Sequence, residues 1–120
     1  MARILVVDDS FIVQRTMGLL LRRLGHEVST VGNGREALGI LSERLFDLAL
    51  VDMSMPLMGG LELVTTLRER HHAEQMRVVF LTASSTEEDR VAAEQLNIDG
   101  FLNKPVSSYQ LQEMINNVLP

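Results

Sequence analysis

The chain has 120 residues, 46% of them hydrophobic, with 11 Lys and Arg against 16 Asp and Glu and a formal net charge of −5. That length suits one domain with its own core, and the acidic balance argues against nucleic-acid binding through a broad basic surface. The absence of cysteine excludes a disulfide framework and thiolate metal sites and fits a reducing cytoplasm, while no apolar run approaches a membrane span and Met1-Ala2-Arg3 leads into a strand-like run instead of a signal peptide.

Ile4 to Val7 is a continuous apolar run rich in β-branched residues, as in a strand buried on both faces. Ser10 is placed to cap a helix through about Leu24, with Gly25 as its left-handed stop. Glu27 to Val31 alternates polar and apolar, the pattern of an edge strand. Asn33 with Glu36 opens a second helix that carries Ala37, Leu38 and Leu41 on one face. Leu48 to Val51 is a second buried strand and runs directly into Asp52. Pro56 and Gly59-Gly60 break the chain before a third helix with Leu61, Val64 and Leu67.

Val78 to Leu81 is a third buried strand, ending at Thr82. Ser85 with Glu88 is read as the start of a fourth helix, and Asn97 as its left-handed stop. Gly100 to Asn103 forms a short last strand before Lys104-Pro105. Ser107 with Gln110 begins a fifth helix, where Leu111, Met114, Ile115 and Val118 share a face. The methionines fall mostly on apolar faces and are expected in the core, and His71-His72 is expected to be a surface pair.

Five strands alternating with five helices imply an α/β fold: a doubly wound parallel sheet with helices on both faces. Such sheets bind ligands outside the carboxyl ends of their strands. Asp8, Asp9, Asp52, Thr82 and Lys104 all fall there, and Lys104 is the sole lysine of the chain. One aspartate after a strand is ordinarily a turn or helix cap. Three carboxylates converging from two strands cannot all be caps, and their repulsion calls for a hard cation with oxygen ligands, of which Mg²⁺ is the typical one. Lys104 suits a phosphate oxygen, and Asp52 is a candidate carboxylate nucleophile toward phosphorus.

The chain resembles the receiver domain of two-component response regulators of the chemotaxis kind, along essentially its whole length, 1–120. The resemblance rests on Val6-Val7-Asp8-Asp9-Ser10, on Leu50 to Gly60 around Asp52-Met53-Ser54-Met55-Pro56, on Leu81-Thr82-Ala83, and on Phe101-Leu102-Asn103-Lys104-Pro105. It implies a flavodoxin-like sheet of order 2-1-3-4-5. It implies phosphorylation of Asp52 by the phosphohistidine of a sensor histidine kinase or phosphotransfer protein. Asp9, Asp52 and the backbone carbonyl of Ser54 would ligate Mg²⁺, with Asp8 acting mainly through water. Thr82 and Lys104 would contact the phosphoryl group, and Phe101 matches the aromatic switch position. A downstream effector would dock on the fourth helix, last strand and fifth helix, near Tyr109, Gln112 and Asn116. The domain itself would be cytoplasmic, would bind neither membrane nor nucleic acid, and would be no enzyme beyond its own phosphoryl transfer and autodephosphorylation. Gly59 and Asn97-Ile98 depart from common family residues, Phe101 lacks the hydroxyl of the frequent tyrosine, and Ser54 and Ser84 occupy positions that tune phosphoryl lifetime.

Three other readings compete. An aspartyl-nucleophile phosphohydrolase would carry a second acid two positions after Asp52, where Ser54 stands. A dinucleotide-binding fold would show Gly-x-Gly-x-x-Gly after the first strand, which is missing. A degenerate receiver serving only as an interaction module is disfavoured by the full set of Asp8, Asp9, Asp52, Thr82 and Lys104. With no output domain after Pro120, the chain reads as a stand-alone receiver or the N-terminal part of a longer regulator.

Overall fold

Side chains of consecutive strand residues point to opposite faces, so a strand that is apolar at every position must be covered on both sides. The computed structural model, which describes residues 1–83 and 86–120, arranges the chain that way. The strands are β1 (Arg3–Val7), β2 (Glu27–Val31), β3 (Leu48–Asp52), β4 (Arg77–Thr82) and β5 (Gly100–Asn103). They form one parallel sheet in the order β2-β1-β3-β4-β5. The helices are α1 (Phe11–Arg23), α2 (Gly34–Leu41), α3 (Gly60–Glu69), α4 (Glu87–Gln95) and α5 (Ser108–Val118).

The core divides into two clusters, one per face of the sheet. Leu5, Val7, Ala49, Val51, Val78 and Phe80 pack with Ala37, Leu41, Leu63, Val64, Leu67 and Ala93 of α2, α3 and α4. Ile4, Val6, Leu48, Leu50, Val79 and Leu81 pack with Met17 and Leu21 of α1 and with Leu111 and Ile115 of α5. Each fully buried Leu, Ile, Val or Phe in these layers contributes about 1.5–3 kcal/mol of transfer free energy.

The helices other than α3, which starts after Gly59, begin at side-chain caps. Ser10 accepts from the Val13 N–H, Asn33 from the Glu36 N–H, and Ser107 with Gln110 forms a full capping box. The Glu36 carboxylate accepts from the Gly32 N–H at 2.6 Å, one residue earlier than in a capping box. Gly25 takes the left-handed stop at φ +92° and Asn97 does so at φ +56°.

Three expectations need correction. The cap of α4 is Thr86, which accepts from the Asp89 N–H at 3.1 Å; Ser85, expected in that role, lies outside the described residues, as does Ser84. Among the methionines only Met17 and Met76 are buried, while Met53, Met55, Met58 and Met114 pack at the core margin and Met1 is exposed. His72 is half-buried, with its Nε2 2.8 Å from the Leu41 carbonyl at the end of α2, so only His71 of that pair is a surface residue.

Candidate functional site

In a parallel sheet all carboxyl ends share one edge, and β1, β3, β4 and β5 lie side by side there. Asp8 follows β1, Asp52 and Thr82 are the last residues of β3 and β4, and Lys104 follows β5. The strand register pairs Asp52 with Leu81 and Thr82 with Asn103, so these groups arrive at one level of the edge. The loop after β5 is tied back by the Lys104 N–H donating to the Thr82 carbonyl at 2.8 Å.

Asp8, Asp52 and Thr82 are the buried polar residues of the molecule among those described. Asp8, Asp9 and Asp52 each offer a carboxylate oxygen within 4.8 Å of the others. Lys104 Nζ stands 2.6 Å from Asp8 Oδ2 and 3.3 Å from Asp52 Oδ2. Asp8 Oδ1 accepts from the Ser10 N–H at 2.9 Å, and Asp52 Oδ1 from the Ser54 N–H at 3.2 Å. Asp8 Oδ2 is fully buried, and its partner is the Lys104 ammonium.

Burial pushes the pKa of Asp52 above the usual carboxylate value, and the neighbouring charge of Asp8 adds to this. The Ser54 N–H and Lys104 oppose both without cancelling them. For Lys104, burial acts downward, but the close approach of Asp8 and the charge of Asp52 outweigh it, and the ammonium is held above its ordinary value. A carboxylate that resists ionisation beside an ammonium that resists deprotonation marks a site short of positive charge. Three convergent carboxylates, two of them on buried residues and together facing a single ammonium, form a donor set suited to an oxygen-seeking cation such as Mg²⁺.

Every residue expected at the site from the sequence lies at this edge or beside it. Asp8, Asp9, Asp52 and Lys104 converge, Thr82 is buried at the end of the adjacent strand, and Ser54 is exposed two residues beyond Asp52. Phe101 is half-buried on β5, its ring 6.1 Å from that of Phe80 and capped by the Arg90 guanidinium at 5.3 Å. Three contributors escaped sequence reasoning: Gln14, which bonds the Asp8 carbonyl, Arg90, and Arg68, which bonds the end of α4. Each acts on a backbone carbonyl or a ring, and no spacing in the sequence signals such a partner.

A doubly wound sheet of order 2-1-3-4-5, with an acidic cluster and a lysine at its carboxyl edge, defines the flavodoxin-like receiver class. Residues 4–116 match the response regulator receiver domain, and the chain belongs to that family. A crystal structure of the chemotaxis protein CheY4 of Vibrio cholerae superposes with a TM-score of 0.93 at 31% identity, over 99% of both chains. The receiver domain of the Pseudomonas aeruginosa sensor histidine kinase PA1611, solved with a magnesium ion in its active-site cleft, superposes at 0.86 with 25% identity, over 98% of this chain and 97% of that one. The Escherichia coli transcriptional regulatory protein PcoR is 33% identical over 99% of this chain but only 52% of its own length, so the chain spans about half of such regulators. Among the described residues no helix is long and apolar enough to cross a membrane.

Proposed function

We propose that this receiver domain, residues 1–120, is a phosphorylatable switch whose acceptor is Asp52. The observation that carries the reading is the Asp52 carboxylate at the sheet edge, 3.3 Å from the only lysine and clustered with two further acids. An Asp52 oxygen attacks the phosphorus of a phosphohistidine on a sensor histidine kinase or phosphotransfer protein. The phosphorus–nitrogen bond breaks, and the imidazole leaves with its electron pair. Lys104 answers the charge of the phosphoryl oxygens, and the Thr82 hydroxyl is the neighbouring donor. Asp8, Asp9, Asp52 and the Ser54 carbonyl would hold Mg²⁺, which when bound neutralises charge on the transferring group. Beyond this transfer and its own dephosphorylation the domain performs no catalysis. It works in the cytoplasm, and the change at Asp52 is read by an effector protein or domain on α4, β5 and α5, without direct membrane or nucleic-acid contact.

The test is mass spectrometry after incubation with Mg²⁺ and a small acyl phosphate. The chain should gain one base-labile phosphoryl group, and Asp52→Asn should gain none. Equal modification of the variant at the same rate would show that Asp52 is not the acceptor. A wild-type chain that takes up no phosphoryl group would instead favour the degenerate, interaction-only receiver.

A further inference from the structure

Behind the acidic cluster, one side chain holds the backbone from which two of the carboxylates project. Gln14 lies in α1, half-buried. Its Nε2 donates to the Asp8 carbonyl at 2.7 Å and to the Val31 carbonyl at 3.4 Å. The Val31 carbonyl also accepts the Asp8 N–H at 3.1 Å. One amide therefore ties the end of β2 to the peptide that joins Asp8 to Asp9.

That peptide matters because the two aspartates are fixed unequally. The Asp8 carboxylate has the Ser10 N–H on one oxygen and Lys104 on the other. Asp9 is exposed, and among the described residues nothing bonds its carboxylate, so its place in the cluster is set by the backbone alone. Mutual repulsion within the cluster favours turning the Asp8–Asp9 peptide and swinging Asp9 toward water. The Gln14 bond to the Asp8 carbonyl opposes that rotation.

We infer that Gln14 is a positioning residue for the divalent cation: it fixes the Asp8–Asp9 peptide so that Asp9 stays within reach of Asp52. The inference rests on the reading of the acidic cluster as a cation site. Groups one bond removed from the ligands typically change metal affinity by about 10- to 100-fold when lost.

The test is a Mg²⁺ titration of the full chain without any phosphodonor, followed through the backbone amide shifts of Asp9, Ser10 and Ser54. Gln14→Met keeps the length of the side chain and removes its donors. Gln14→Glu keeps the shape and replaces the donor with an acceptor. Gln14→Arg restores N–H donors. The Met and Glu variants should bind Mg²⁺ about tenfold more weakly than wild type, and Arg should return to within about threefold. Phosphorylation of the Met variant by an acyl phosphate should recover when Mg²⁺ is raised by the same factor, which a general loss of folding would not allow. Wild-type affinity in the Met or Glu variant, or an equal loss in the Arg variant, overturns the inference. Wild type that binds no Mg²⁺ would instead refute the cation-site reading beneath it.

Discussion

The Arg90 guanidinium lies over the Phe101 ring, 5.3 Å from its centre, and joins α4 to β5 by a cation–π contact. This contact carries unusual weight because α4 buries only Ala93. At the far end of the helix, Arg68 Nε donates to the Leu96 carbonyl at 2.9 Å and its Nη2 to the Asn97 carbonyl at 3.5 Å. Cationic side chains thus hold an element that has few apolar anchors. Arg90→Met should loosen it, raising amide exchange across residues 87–95 by about two- to fivefold while α1 exchanges as before. Unchanged exchange would mean that the stacking contributes nothing to anchoring.

Phe101 is half-buried, so part of its ring still faces solvent. If modification of Asp52 draws the Thr82 hydroxyl toward it, space opens behind that strand end and the ring can leave Arg90. A stable phosphoryl mimic should therefore shift the NMR resonances of Phe101 and of α4. Changes confined to the loops around Asp52 would contradict this route.

Asp52 also governs stability. Its raised pKa means that the folded chain keeps the proton to higher pH than the unfolded chain does. Stability therefore falls as pH rises from the ordinary value of 3.8 through the folded value. In chelator at pH 7, Asp52→Asn should be more stable than wild type by roughly 1–2 kcal/mol, given the cost of like charges a few ångströms apart. At a pH below the ordinary value the gap should close. Mg²⁺ should raise the wild-type midpoint more than that of the variant. A variant less stable than wild type in chelator would mean that the cluster is not strained.

At the opposite end of the sheet the Ala2 N–H donates to His26 Nδ1 at 3.0 Å. Burial, with the nearby amino terminus, holds His26 below its usual 6.5. Protonation removes the acceptor, so this contribution is present above the usual value and is lost as pH falls through the lowered one. His26→Gln should flatten the urea stability profile in that acidic window. A profile as steep as that of wild type would assign the pH dependence to other groups.

Gly60 opens α3 against the end of β3. A Cβ there would meet the Asp52 carbonyl oxygen at 2.6 Å, the Met53 Cα at 3.0 Å and the Phe80 ring at 3.1 Å. Two of these are backbone atoms beside Asp52, so Gly60→Ala should cost about 1–3 kcal/mol in urea melts and slow the phosphorylation proposed for Asp52. At Gly34 a Cβ would meet Met58 Cγ at 2.5 Å, Sδ at 2.8 Å and Cβ at 2.9 Å. Rotation of the side chain cannot move the Met58 Cβ, so Gly34→Ala should also be destabilising in the same assay.

The sheet was legible because β1, β3 and β4 are apolar at successive positions, and the acidic cluster with its lysine because Asp8-Asp9 and Asp52 come at the ends of β1 and β3 while Lys104 follows β5. Other features left no comparable mark. Thr86 and Ser85 are equivalent as sequence, and only the backbone decides that Thr86 caps α4. Gln14 reads as an ordinary polar helix residue until the Asp8 and Val31 carbonyls arrive beside it from two strands. Arg68 likewise gains its role from a helix end 28 residues away in the chain.

The solitary lysine has a practical corollary. With every other basic side chain an arginine or histidine, the chain carries one ε-amine, and it stands between Asp8 and Asp52. Reductive methylation with ¹³C-formaldehyde would install a single ε-probe inside the site, distinguishable from the α-amine by its pH dependence. Its chemical shift would register cation loading and acyl phosphate formation directly, giving a spectroscopic window on occupancy without a foreign fluorophore.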